Sequence, residues 1–236
     1  VSGEGLFSFD AIDARLEAHD WPFARSHADE IERIWARETA LRPATFDGRV
    51  LLQHRGELRG GVFQAGYFAT SYKPFIGWTR LGWPGAHVRN GFAMAALRAR
   101  DGAFLAARMG GHTANAGKVY FAAGTPDMDD VTPDGAVDLA GSVLRELTEE
   151  TGLTLAELEV GAGWTAVTEP TRIAFMRPVA IDLPADEARA LMLSRIARQA
   201  EPELADIVII RSRSDIIEDE RIMPRFMQRY LAHMLG

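Results

Sequence analysis

The stretch Arg145-Glu146-Leu147-Thr148-Glu149-Glu150-Thr151-Gly152-Leu153 constrains this chain more than any other. It reads as the end of an amphipathic helix. Successive helical residues turn by about 100°, so Glu146, Glu149 and Glu150 share roughly one third of the circumference. Ala140, Val143, Leu144 and Leu147 fall mainly on the opposite side and give the helix its buried face. Gly152 is placed to stop it, because a glycine in left-handed conformation is the common helix terminator. Three like charges on one face repel by a few tenths of a kcal/mol per neighbouring pair. A hard divalent cation relieves that repulsion, since Mg²⁺ takes carboxylate oxygens while keeping waters and substrate phosphates in its shell.

The same residues fill the pattern Arg-Glu-apolar-any-Glu-Glu-any-Gly-apolar in order. This is the second half of the Nudix box, and the chain resembles a Nudix hydrolase. The resemblance implies an α+β fold, a Nudix α/β/α sandwich with a mixed β-sheet. It implies Mg²⁺- or Mn²⁺-assisted cleavage of a diphosphate joined to another group. It further implies that Glu146, Glu149 and Glu150 hold the metal and that Arg145 braces the helix through ion pairs with neighbouring carboxylates. The first half of the box departs from the pattern: Val131 and Val137 stand where a glycine and a glutamate are expected. Gly124, after the apolar run 119–123, takes the glycine's place as a substrate-binding candidate, with an inserted acidic loop behind it. Asp138 is positioned to replace the missing acid in part.

A shorter resemblance lies nearer the N-terminus. Phe46-Asp47-Gly48, Thr70-Ser71-Tyr72 and Phe75-Ile76-Gly77 are similar to a segment of the Nudix branch that hydrolyses UDP-glucose and UDP-galactose. Trp78-Thr79 replaces the Thr-Asn usual there. The substrate implied is a nucleoside diphosphate linked to another moiety, with a UDP-sugar as the lead. CoA, NADH and dinucleoside polyphosphates remain open, as does a noncatalytic Nudix-like nucleotide-binding module. The resemblance is also compatible with a homodimer.

Composition excludes several classes. The chain has 236 residues and a formal net charge of −7. Nonspecific nucleic-acid binding draws its strength from clustered Lys and Arg, and Lys73 and Lys118 are isolated. With no cysteine there is no disulfide, thiolate nucleophile or Cys-ligated zinc, which fits a cytoplasmic location. The isomerase chemistry of the Nudix fold, which uses a cysteine, is excluded on the same ground. No run of eighteen apolar residues suggests a membrane span.

Apolar periodicity and turn residues predict the following order. Residues 10–41 read as helix in two pieces, 50–52 and 62–68 as strands joined at Gly60-Gly61, and 72–81 as a short helix. Residues 91–100 and 103–108 form a hairpin with Asp101-Gly102 in a type I′ turn. Strands follow at 119–123, 157–167, 172–181 and 207–210, and helices at 185–199 and 221–235. The Gly82-Trp83-Pro84-Gly85 cluster separates an N-terminal α+β extension, 1–84, from a Nudix hydrolase domain, 85–236.

Other residues have both plain and functional readings. Asp127, Asp129 and Asp130 read as a solvated loop, because calcium-loop spacing is absent. His112 reads as a loop histidine. Tyr72, Phe75, Trp78 and Trp83 read as packing aromatics with base stacking as the alternative. Glu169, Glu201 and Glu203 are general-base candidates from later loops, and Arg89 and Asn90 are ligand-contact candidates.

Overall fold

Two sheets carry most of the buried apolar side chains. The computed structural model describes residues 4–85 and 87–236, so residues 1–3 and Ala86 of the two expected segments lie outside the described residues. In chain order the elements are β1 (Gly5–Phe9), β2 (Ala11–Leu16), α1 (Phe23–Ser26), α2 (Ala28–Leu41), β3 (Arg49–Arg59), β4 (Val62–Ser71) and α3 (Tyr72–Arg80). Then come β5 (Asn90–Ala99), β6 (Phe104–Met109), β7 (Val119–Tyr120), α4 (Leu139–Thr151), β8 (Leu158–Val160), β9 (Trp164–Thr168) and β10 (Arg172–Ile181). The chain closes with α5 (Ala185–Ile196), β11 (Leu204–Ile210) and α6 (Arg225–Met234).

The larger sheet runs β1-β9-β10-β5-β6-β11, with β7 added to β6 and β8 to β10. Its central pair, β10 and β5, is parallel from Arg172↔Asn90 to Ile181↔Ala99, and its other pairings are antiparallel. β5 is buried along almost its whole length, as expected for a parallel strand covered on both faces. Phe226 of α6 meets Phe92 at 5.4 Å between ring centroids, while Phe63 of β4 meets Phe175 at 5.1 Å. Phe175 is in register with Ala93, the residue after Phe92. Side chains alternate along a strand, so α6 and the smaller sheet cover opposite faces. The α+β class and the mixed sheet of an α/β/α sandwich are therefore present as expected.

The smaller sheet, β2-β4-β3, is itself buried on both faces. Leu51, Phe63, Ala65 and Tyr67 join the core of the larger sheet, whereas Val50, Leu52 and Phe68 join a second core with Phe75 and Trp78 of α3 and Ile31 of α2. Each fully buried large apolar side chain is worth about 1.5–3 kcal/mol. The Tyr67 hydroxyl donates to the Gly91 carbonyl at 3.1 Å inside the first core. Together with the β1–β9 pairing, this ties residues from the N-terminal third into the main sheet. No helix among the described residues is long and apolar enough to cross a membrane.

Three local expectations are corrected. Residues 11–16 form a strand, not helix: β2 pairs in parallel with β4 from Ala11↔Val62 to Leu16↔Tyr67. The long-range partner overrides a weak local preference. The Asp101-Gly102 turn is not type I′, because only Gly102 has positive φ, +88°. The Asp101 carboxylate instead accepts from the backbone N–H groups of Ala103 and Ala185. The closing helix starts at Arg225, after Pro224, since proline fits the helix start and breaks its interior.

Candidate active site

Helix α4 is capped at both ends by its own sequence. The Asp138 carboxylate accepts from the Gly141 N–H at 2.9 Å, and Gly152 closes the other end at φ 71°. Asp138 is thereby committed to capping. It opens α4 two turns before Arg145. A side chain at Gly152 would also collide with Arg195, whose guanidinium donates to the Gly152 carbonyl at 2.9 Å.

The three glutamates have different surroundings. Glu149 is exposed, Glu146 is partly buried and Glu150 is 7% exposed. Burial raises the Glu146 carboxyl, with Arg145 acting against it and Glu149 with it. Burial pushes Glu150 up to about 9, reinforced by the charges of Glu146, Glu203 and Glu149. The Glu150 Oε2 atom is buried with no hydrogen-bond partner. An unsatisfied buried polar group costs about 1–3 kcal/mol, so it calls for a reason. Among the described residues no group of three or more Asp, Glu or His side chains is arranged to hold a metal ion. The chemistry of the pair nonetheless fits one: two repelling carboxyls, one with a free oxygen, favour a hard cation.

The main partner of Arg145 is a loop acid. The guanidinium donates to Asp130 at 2.7 Å and makes a longer contact to Glu146 at 3.5 Å. The Asp130 side chain is 1% exposed, not solvated as the loop reading expected. It also accepts from the Asp127 N–H, within a reciprocal capping box around residues 128–130. The Asp-x-x-Asp spacing was the available signal for this anchoring residue.

Gly124 packs directly on Glu146. A Cβ at this position would lie 2.7–3.0 Å from the Glu146 carboxyl atoms. Gly124 and Tyr120 also line a cleft of about 880 Å³ between α3 and the strand ends at Asn90, Lys118 and Arg172. None of the three glutamates lines the cleft, and Glu146 lies against Gly124. The cleft carries five basic side chains (Arg80, Lys118, Arg172, Arg221 and Arg225) against three acidic ones, although the whole chain is negative. Burial, with the Arg172 and Arg80 charges, lowers the Lys118 ammonium. A half-buried lysine facing two guanidinium groups suits an anionic ligand.

The structure brings other sequence candidates to this cleft and leaves some out. Tyr72, Phe75, Trp83, Asn90 and Glu169 line it. Trp78 is fully buried, with its indole N–H on the Pro84 carbonyl at 2.9 Å. Arg89 pairs through its backbone with Gln53. His112 lines a neighbouring cavity of about 560 Å³ that shares Tyr72, Ile76 and Ala114 with the cleft. Glu201 and Glu203 are exposed, and only Glu203 acts on Glu150. Lys118 and Arg172 escaped the sequence reading, which saw only an isolated lysine and a strand start.

No family model matches the chain, and no curated protein matches it. Among solved structures, similarity extends to a mutant of the Bacillus subtilis pyrophosphohydrolase BsRppH, at 15% identity over 61% of this chain and 77% of that one, TM-score 0.35. It extends to RenU, a Nudix hydrolase from M. smegmatis, at 18% identity over 63% and 88%, TM-score 0.37. It also extends to a MutT protein from Methanosarcina mazei Go1, at 20% identity over 62% and 92%, TM-score 0.37. Similarity this distant leaves function to be drawn from the chain's own side chains.

Proposed function

We propose that the protein is a Mg²⁺- or Mn²⁺-dependent Nudix-type pyrophosphohydrolase. Its substrate is a nucleoside diphosphate linked to another moiety, with a UDP-sugar as the leading class. The observation that carries this reading is the buried, unpartnered Glu150 Oε2, raised by the charge of Glu146, which itself packs on Gly124 of a cationic cleft. Glu146 and Glu150 would hold the cation, with the exposed Glu149 as the third acid of the motif, and the cation when bound supplies charge neutralisation at the phosphoryl oxygens and acidifies water.

The chain's own groups do the rest. Lys118 and Arg172 attract the diphosphate into the cleft and fix it there, while Arg80 is held by the Glu38 carboxylate at 2.6 and 3.1 Å. Arg145, anchored by Asp130, is a positioning residue that orients Glu146. Gly124 leaves the room that lets the Glu146 carboxyl stand against the cleft wall. In-line attack by water on phosphorus needs a proton acceptor, a role assigned to a carboxylate of this cluster. For a UDP-sugar the products are UMP and a sugar 1-phosphate. Residues 85–236 carry the carboxylates, and residues 1–84 contribute α3 as the opposite cleft wall. A cytoplasmic setting and a homodimer belong to the same proposal.

The test is a phosphate-release screen over nucleotide sugars, dinucleotides and CoA esters, with and without Mg²⁺ or Mn²⁺. Metal-dependent turnover of one class is expected. Tight nucleotide binding by calorimetry with no turnover of any class would instead favour a noncatalytic module. Light scattering on the purified protein decides the dimer.

A further inference from the structure

The cleft has a second polar centre away from the carboxylate helix. Asn90 opens β5 and Arg172 opens β10, and the two are register partners. The Glu169 N–H donates to the Arg172 carbonyl at 2.9 Å, and the Asn90 N–H donates to the Thr171 carbonyl at 2.9 Å. Adjacent strands lie about 4.8 Å apart, so this pairing gathers the Asn90, Glu169 and Arg172 side chains at one end of the sheet. Asn90 and Glu169 are each 8% exposed and both line the cleft. Asn90 Oδ1 and Glu169 Oε1 are buried acceptors with no donor among the described residues. Glu169 Oε2 stands 3.8 Å from the Arg172 guanidinium, a loose pair that leaves its other oxygen unused.

Two unused acceptors at one end of a cleft call for a ligand that brings donors. The charges around Glu169 decide which kind. The positive Arg172, Arg225 and Arg229 act on it more strongly than the negative Glu4, so an ammonium group is disfavoured. Neutral hydroxyls remain favourable, since the carboxylate and the amide oxygen accept from them while the guanidinium donates to their oxygens. A stacked base is disfavoured by the aromatic neighbour. The Trp83 ring already has the Arg172 guanidinium 4.7 Å from its centroid and the Trp78 ring against it at 4.6 Å in a T-shaped contact.

We propose that the Asn90–Glu169–Arg172 end of the cleft seats a polyhydroxylated group, the glycosyl or ribosyl half of a diphosphate-linked substrate. Asn90 and Glu169 accept from its hydroxyls, and Arg172 holds it from the other side. This deepens the proposed hydrolase reading and rests on it for the diphosphate.

The experiment is calorimetry in EDTA, where turnover is suppressed, with two matched pairs: UDP-glucose against UDP, and ADP-ribose against ADP. The wild-type chain is expected to bind at least one of UDP-glucose and ADP-ribose about tenfold or more tightly than the matching nucleoside diphosphate, which lacks the second sugar. Asn90→Ala and the near-isosteric Glu169→Gln should each abolish that increment while leaving UDP and ADP binding unchanged, which also reports that the variants are folded. Should Asn90→Ala not fold, Glu169→Gln decides alone. No increment in the wild type, or an increment that survives Glu169→Gln, overturns the proposal. Metal-dependent hydrolysis without the increment would sink this inference and spare the hydrolase. The increment without any hydrolysis would do the reverse.

Discussion

Glu150 and Glu157 flank the turn that ends α4, and their surroundings drive them in opposite directions. Glu150 is buried, is acted on by other carboxylates and has an oxygen with no partner. Glu157 is bound by both guanidinium nitrogens of Arg195 at 2.7 and 2.8 Å, and accepts from the Thr154 N–H and hydroxyl as well. The Arg195 and Thr154 hydrogen bonds hold its carboxyl at about 2. A chain that only needed to fold would satisfy both residues. One is satisfied and stabilises the end of the helix, while the other opposes folding and is the better candidate for chemistry. Perturbed acids cluster at functional sites for this reason.

The strongest test of the contrast is Glu150→Gln. Turnover of the substrate found by screening should fall by about three orders of magnitude, the scale seen when a key charge-stabilising group is removed. The fold should gain. Between the ordinary carboxylate value of 4.5 and about 9, the folded chain holds a proton that the unfolded chain releases. Stability therefore falls as pH rises through that window. Glutamine removes the slope, so in EDTA the variant should exceed the wild type by about 1–3 kcal/mol at pH 8 and match it near pH 4. Denaturant titrations at the two pH values measure this. A variant that is less stable at pH 8, or that turns over normally, breaks the contrast from the Glu150 side.

Gly124→Ala probes the same carboxylates from across the wall. The added methyl must displace the Glu146 carboxyl, the far end of a flexible side chain, so the chain should still fold. A loss of about 10- to 100-fold in kcat is expected from the misplaced group, with a melting temperature close to the wild type. Full activity would show that the contact between Gly124 and Glu146 has no part in the reaction.

These tests bear mainly on residues the sequence disclosed, and the reason is local. Helix α4 was legible because its apolar spacing, its three acids and Gly152 all lie within one short stretch. The helices at 72–80 and 185–196 and the strands β4 and β10 were legible for the same reason. β1 and β2 were missed because their evidence is their partners: β1 pairs with β9, and β2 lies parallel to β4. The site divides in the same way. Arg145 and the glutamates are contiguous, while the partner of Arg145, Asp130, lies 15 residues upstream. Asn90 and Arg172 meet only through strand register, so no spacing rule brings them together. Lys118 is a lone lysine in the sequence, and only the fold sets it beside Arg80 and Arg172.

Glu157→Gln tests the contrast from the satisfied side and should have the smallest effect. The pair with Arg195 is about one third exposed on each partner, so solvent screening reduces its worth to about 1 kcal/mol. The sign follows from the depressed carboxyl. The stabilisation is fully present above 4.5, where both states are ionised, and is lost as pH falls through about 2. Urea titrations should therefore show the variant about 1 kcal/mol weaker at pH 7, with the gap closing as pH falls from 5 towards 2. Because Arg195 also holds the Gly152 carbonyl, loosening it frays the end of α4 without touching the cleft, and kcat should stay within about twofold of the wild type. A large loss of kcat at pH 7 with an intact fold would mean that the clamp orients the glutamates, and the two acids would then form one functional unit rather than opposed halves.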